Sequence, residues 1–208
     1  YAIVAGHLTL AVGLAQAAQY LGEDRVVMVF FGDGAVNQGE FHESMNLASL
    51  WKLPIVFFLE NNFYGMGSHI DRTYAGGRDV YKAGDHYRMP SQQVDGMDVL
   101  KVYQATQDIV QRVRSGGGPF LVEALTYRFR GHSMADPVQY RERTEEDLWR
   151  SRDPILTFTG HLLEGKFATT DDLERLDTEV AKEIAEAVQF AEESPEPEPD
   201  ALYRDIDS

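Results

Sequence analysis

Two almost unbroken apolar runs, 26–31 and 54–59, stand on either side of a helix-length segment, and they organise the chain. Each has the length of a strand. Turn-forming residues close them, Gly32-Asp33-Gly34 after the first and Asn61-Asn62 after the second. The segment between, 38–50, carries Phe41, Met45, Leu47 and Ala48, with Trp51 just beyond, available to face a sheet. Lys52-Leu53-Pro54 stops it, because proline cannot continue a helix. The three pieces predict a β-α-β unit with parallel strands.

The remaining chain extends the pattern. Residues 1–20 begin apolar and continue rich in Ala, Gly and Leu, which predicts a buried helix ended by Gly22. His7 is either a polar contact or a helix-start or core histidine whose hydrogen bonds are met within the fold. Residues 63–93 form a long segment with many glycines and charges, a functional loop or one holding short irregular elements, with His69 and His86 as surface residues. Val94-Asp95-Gly96-Met97-Asp98 reads as a strand end and turn, with Asp98 as N-cap of a helix over 99–115. Gly116-Gly117-Gly118 terminates that helix, and 119–127 predict a third strand of the same parallel set. Thr144 is the expected N-cap of the next helix, with Asp147 at its third position. Helices follow over 155–166 and 171–193, the latter with an apolar stripe of Leu173, Leu176, Val180, Ile184, Val188 and Ala191. Residues 193–200 read as a linker. The prediction is an α/β fold, a mostly parallel sheet flanked by helices with a C-terminal helical extension. We divide it into an α/β domain over 1–166 and an acidic helix and tail over 167–208.

Composition narrows the function. At 208 residues the chain can bury one sizeable core. It has no cysteine, hence neither a disulfide framework nor a thiol nucleophile. No stretch approaches the roughly 18 consecutive apolar residues of a membrane span. The net charge of −15 is uneven: residues 1–166 hold 16 basic and 20 acidic side chains, residues 167–208 hold 3 and 14. The acidity therefore belongs to the tail, and neither nucleic acid nor membrane is an expected partner. The chain opens on Tyr1 directly in apolar sequence, so a piece of a longer protein is expected, with a cytoplasmic location of bacterial type and an organelle left open.

The two strand ends carry the candidate chemistry. In open parallel sheets ligands bind at the carboxyl ends of strands. Gly34 allows backbone N–H groups close to an anion, and the following helix start favours negative charge. A diphosphate there calls for a metal, and Mg²⁺ takes about six oxygens from carboxylates, phosphates and water. Asp33 offers a carboxylate, Asn62 an amide oxygen, and Tyr64 a backbone carbonyl. Either short motif alone is an ordinary turn. The pair, each after a strand and about 26 residues apart, is far more specific.

That spacing resembles the thiamine-diphosphate signature. With the stretches 46–67, 94–100 and 127–137, the chain resembles the alpha subunit of the decarboxylating component of 2-oxo acid dehydrogenase complexes, pyruvate type. The resemblance runs through nearly the whole chain and thins in the acidic tail. It implies a thiamine-diphosphate-binding fold lacking an N-terminal part, with Mg²⁺ held by Asp33, Asn62 and Tyr64. It implies cofactor contacts from Gly32, Asp33, Gly34, Ala35, Asn62 and Tyr64, and from backbone near Ala2, Ile3 and Val4. Met66 would hold the cofactor's bent form, the alternative being core filler. The basic segment 128–143 matches the family's catalytic loop, in which His132 would donate a proton; from residues alone it is equally a surface loop. Ser133 matches a phosphorylated position of some members, but the loop near Gln139 and Tyr140 is shorter than the regulated pattern. The glutamate that activates thiamine would come from a beta subunit. Glu60 is a local candidate disfavoured by its place beside the metal site. Expected partners are that beta subunit in an α2β2 heterotetramer, a lipoyl-bearing acyltransferase core and a small 2-oxo acid. Pyruvate fits the motifs better than branched-chain acids or acetoin. Two other readings stay open: a Rossmann-like nucleotide binder, although GxGxxG is lacking, and a non-catalytic structural subunit, although Asp33, Asn62 and His132 are all present.

Overall fold

The computed structural model describes residues 3–204 and 206. The chain divides into two compact units, Tyr1–Phe158 and Thr159–Ser208. In the first, four parallel strands are ordered β1-β2-β6-β5: β1 (Val27–Gly32), β2 (Ile55–Asn61), β5 (Ser91–Asp95) and β6 (Phe120–Leu125). A two-residue hairpin, β3 (Tyr64–Gly65) with β4 (Ser68–His69), follows β2. The expected parallel set is present, enlarged by β5. The strand end expected at Val94-Asp95 is the end of β5, whose first residues, with Gln92 and Gln93, show no apolar alternation in the sequence.

Alternation along β2 explains the two layers of core. Ile55, Phe57 and Leu59 join Leu8, Ala11, Val12, Phe41 and Met45, which are among the buried residues of α1 (Gly6–Leu21) and α2 (Gly39–Trp51). Val56 and Phe58 turn to the opposite face, toward Ile109 on α4 (Val99–Arg112) and Val113 just beyond it. Successive strand residues point to opposite faces, so a strand buried on both reads as a continuous apolar run. Burying a Leu, Ile or Phe side chain in such a layer contributes roughly 1.5–3 kcal/mol.

Most predicted boundaries hold, with local corrections. Gly22 caps α1 in the left-handed conformation, as expected. Helix α2 ends at Trp51, three residues before Pro54, because Lys52 itself takes a left-handed φ of 54° as C-cap. Leu47 is half-buried and Trp51 is largely exposed, so the sheet-facing stripe is Phe41, Ser44, Met45 and Ala48. Asp98 caps α4 by accepting from the N–H groups of Leu100 and Lys101. Residues Val113–Gly117 form a wider last turn that breaks at Gly116, whose φ is +83°. Thr144 is not an N-cap: α5 (Arg143–Arg150) starts two residues earlier than that cap implies, behind Glu142, with no side-chain cap. A short helix, α3 (Ala83–His86), lies in the long connection before β5.

Helix α6 (Pro154–Glu164) follows. In the second unit α7 (Thr170–Glu193) opens with a capping box in which Thr169 and Asp172 bond each other's backbone N–H. The predicted apolar stripe is on this helix, with Leu176, Val180, Ile184 and Val188 exposed by half or more. Among the described residues no helix is long and apolar enough to cross a membrane.

Candidate active site

Register brings the two motifs together. In the β1–β2 pairing Gly32 stands opposite Glu60, so Asp33 and Asn62 leave neighbouring strands at nearly the same height. Asp33 begins a short 3-10 turn, Asp33–Asn37, that leads toward α2. The Asn62 N–H donates to Asp33 Oδ1 at 3.3 Å, and the Tyr64 N–H donates to Asn62 Oδ1 at 3.2 Å. Gly34 and Gly65 pack backbone to backbone: a Cβ on Gly34 would lie 3.2 Å from the Gly65 Cα. A side chain at Gly34 would thus crowd the β3 hairpin.

Asp33 is only 3% exposed. Burial pushes its carboxyl above the usual carboxylate range, while N–H groups of its own backbone and of Asn62, and the charges of Arg128 and His69, pull the other way. A buried carboxylate whose desolvation is incompletely offset is a good seat for a cation. Among the described residues no group of three or more His, Cys, Asp or Glu is placed to hold a metal. The donors here are of another kind: one carboxylate, one amide oxygen and one carbonyl, a hard oxygen set that suits Mg²⁺ completed by phosphate and water. Asn62 Oδ1 and the Tyr64 carbonyl each accept one hydrogen bond and keep a second lone pair.

The twin asparagines separate in role. Asn61 is fully buried, and its Nδ2 donates to Glu123 at 2.6 Å and to the Arg78 carbonyl at 3.2 Å. Its Oδ1 accepts from the Phe63 N–H. Glu123, wholly buried on β6, also accepts from the N–H groups of Val80 and Tyr81 and from Gln93. This carboxylate pins the 78–82 segment and the end of β2 to the central sheet.

The 128–141 segment closes on the hairpin. Arg128 donates to the carbonyls of Tyr64 at 3.4 Å and Met66 at 2.7 Å, and to the Tyr140 hydroxyl at 3.0 Å. Tyr140 donates to Asp136, which also accepts the N–H groups of His132 and Val138. These bonds, Tyr140's first, hold the Asp136 carboxyl down to about 2. Arg141 is buried among the rings of Tyr64, Tyr127 and Tyr140, 5.2 to 5.8 Å from their centres, and donates to the carbonyls of Arg128 and Arg130. Cations over aromatic faces contribute on the order of 2 kcal/mol when desolvated. The Tyr64 hydroxyl donates to Glu145 on α5 at 2.8 Å, and burial with that bond pushes it well above its ordinary range.

Gly32, Asp33, Gly34, Ala35, Asn62 and Tyr64 therefore stand together. Met66 is 65% exposed beside them with a left-handed φ of 54°, so it is not core filler. His132 and Ser133 are exposed on the neighbouring loop. Ile3 and Val4 are exposed ahead of α1; Ala2 lies outside the described residues. His7, on the first turn of α1, bonds the Phe30 carbonyl through Nε2 at 2.7 Å. His69 corrects the expectation of a surface residue: it stacks on Phe63 and meets Tyr64 edge-on at 5.0 Å. His86 is exposed, as expected, and Glu60 is exposed at the end of β2. Sequence reasoning missed Glu123, Tyr140, Arg141 and Glu145, because their roles depend on which loops meet. The one available signal was a glutamate inside an apolar strand.

A family model described as "Dehydrogenase E1 component" matches residues 2–200. The chain belongs to the dehydrogenase E1 component family. Within it, the chain is 44% identical over 207 residues to "Pyruvate dehydrogenase E1 component subunit alpha" of Rhizobium meliloti (strain 1021), covering 99% of this chain and 59% of that protein. It is 41% identical to the protein of the same name from Rickettsia typhi, at 99% and 63% coverage. The human "Pyruvate dehydrogenase E1 component subunit alpha, somatic form, mitochondrial" is 46% identical over 197 residues, at 94% and 50%. The chain thus spans half to about three-fifths of the length of these E1 relatives. Among solved structures, benzoylformate decarboxylase from Polynucleobacter necessarius is similar at TM-score 0.44 and 20% identity, over 58% of this chain and 23% of that one.

Proposed function

We propose that the chain forms the alpha-subunit part of a thiamine-diphosphate-dependent pyruvate dehydrogenase E1 component. Its partners would be a beta subunit, in an α2β2 assembly, and a lipoyl-bearing acyltransferase core. The observation that carries this is the hydrogen-bonded set of Asp33, Asn62 and Tyr64 at adjacent strand ends, supported by the E1 alpha relatives.

When bound, the cofactor supplies the carbon nucleophile and the electron sink for loss of carbon dioxide from a 2-oxo acid. The chain's own residues hold and orient it. Asp33, Asn62 and the Tyr64 carbonyl would take Mg²⁺, with Asp33 alone contributing charge. Backbone from Gly32 to Ala35 would face the diphosphate, and Gly34 keeps that turn seated on Gly65. Backbone at Ile3 and Val4 would meet the aminopyrimidine ring, and Met66 would buttress the cofactor from the hairpin turn. Asp136, Tyr140 and Arg128 hold the loop from which a ring nitrogen of His132 would deliver a proton to the bound acid. The glutamate that activates thiamine would come from the beta subunit, since Glu60 is exposed at the end of β2.

The test is calorimetric titration of thiamine diphosphate into the full-length alpha–beta assembly, with and without Mg²⁺, for wild type and Asp33→Asn. Binding that needs the metal and vanishes in the variant is expected, with decarboxylation faster on pyruvate than on branched-chain 2-oxo acids. A properly assembled wild type that takes up no cofactor would leave a scaffold subunit instead.

A further inference from the structure

The opposite end of the sheet holds a second site. A cavity of about 730 Å³ opens where β2, β5 and β6 begin, away from the strand ends that carry Asp33 and Asn62. Lys52, Arg88 and Arg112 line it, and no Asp or Glu does. Residues 1–158 hold 15 basic and 19 acidic side chains, so three cations lining one cavity without a carboxylate are a local concentration of positive charge. Lys52 and Arg88 sit at left-handed φ of 54° and 53°, rare for residues with side chains. Gln19 fastens the Lys52 turn by donating to the carbonyls of Trp51 and Lys52, and Arg112 donates to the Gly117 carbonyl.

Ser49 lines the cavity as well, with its hydroxyl shielded from solvent. Leu50 and Tyr87 add an uncharged surface beside the cations. The volume falls within the roughly 300–1,000 Å³ of small-molecule sites. Two guanidinium forks and a lysine match the oxygens of phosphate better than a lone carboxylate.

We propose that this cavity binds a phosphate-bearing small molecule of nucleotide size, its phosphates on Lys52, Arg88 and Arg112 and its uncharged part against Leu50 and Tyr87. The site is independent of the proposed cofactor reading.

The experiment titrates ATP, and separately inorganic pyrophosphate, into the full-length chain in the assembly it forms, in magnesium-free buffer. Saturable binding, one molecule per chain and weakened by salt, is expected. The Arg88→Gln/Arg112→Gln double variant should lose about tenfold or more in affinity, and Lys52→Met, outside the glycine turn, should weaken it separately. Asp33→Asn should leave it unchanged, which separates this cavity from the strand-end site. Three results would overturn the proposal: no binding of either probe at about 1 mM, binding indifferent to all three cations, or binding lost with Asp33→Asn.

Discussion

Glu123→Gln should destabilise the first unit by about 2–4 kcal/mol, through hydrogen bonds alone. The substitution preserves shape and adds no cavity. Glu123 Oε1 accepts from Asn61 Nδ2 and the Val80 N–H, and Oε2 accepts from the Tyr81 N–H and Gln93 Nε2. All four donors are uncharged and cluster at a residue with no exposed surface. A glutamine must aim its NH₂ at one of the two pairs, where donor meets donor twice. Each bond to a charged acceptor contributes about 1.5–3 kcal/mol, so the gross loss is roughly 3–6 kcal/mol. Rotating the Gln93 amide restores one bond and brings the net near the stated range. Rotating Asn61 does not help, since its amide also serves the Arg78 carbonyl and the Phe63 N–H. Urea unfolding monitored by fluorescence and by circular dichroism gives the difference from the midpoints at constant slope. Exposed Glu60→Gln serves as control and should stay within about 0.5 kcal/mol. A Glu123→Gln loss below about 1 kcal/mol would refute the idea that this carboxylate pins the 78–82 segment.

Three further outcomes are expected. Asp33→Asn should raise the cofactor-free melting temperature by about 2–4 °C, since it removes a desolvated charge worth about 1 kcal/mol while keeping an acceptor for the Asn62 N–H; a lower melting temperature would contradict this. Gly34→Ala should cost about 1–3 kcal/mol by thermal unfolding and weaken Mg²⁺-dependent cofactor binding, because its methyl must push Gly65 back by a few tenths of an ångström; unchanged affinity would show that the hairpin does not set the site. The Asp136 carboxyl, lowered to about 2, holds its bonds above the ordinary value of 3.8 and loses them as pH falls through about 2. Carbon chemical shifts should show that midpoint, and Tyr140→Phe should move it upward; a midpoint near 3.8 in the wild type would refute the network.

Legibility in the sequence followed the range of the forces involved. Strands β1, β2 and β6 could be read because burial on both faces leaves unbroken apolar runs, and the Asp98 cap because it acts within four residues. Of strand β5 only the end, Val94-Asp95, was legible, because the rest of its sequence, Ser91-Gln92-Gln93, is polar. The strand pairs with β6 through the backbone, and one glutamine is used by Glu123. Asp33 and Asn62 were legible as a pair because each follows a strand directly, and Tyr64 because it lies two residues beyond. Arg141 was not, since its three rings come from positions 64, 127 and 140, and no local pattern announces that meeting. His69 was misjudged for the same reason: its neighbours are aromatic only once the hairpin has folded back.

The asparagine pair shows how register turns two identical residues into different tools. Asn61 stands opposite Leu125 in the β2–β6 ladder, and its carbonyl takes the Thr126 N–H. Successive residues at a strand end face opposite ways. The first side chain therefore points into the sheet's interior and is spent on Glu123, Arg78 and Phe63. The second emerges beside Asp33, with Oδ1 bonding only the backbone of the turn that follows. The metal proposed for Asn62 would need that amide held to a fraction of an ångström by groups that do not themselves take the metal. Asn61 fixes the neighbouring backbone through its bonds to Glu123, Arg78 and Phe63. Because its carbonyl is tied to Thr126, where the 128–141 segment departs, the same register that aims Asn62 at Asp33 also sets where the His132 loop begins.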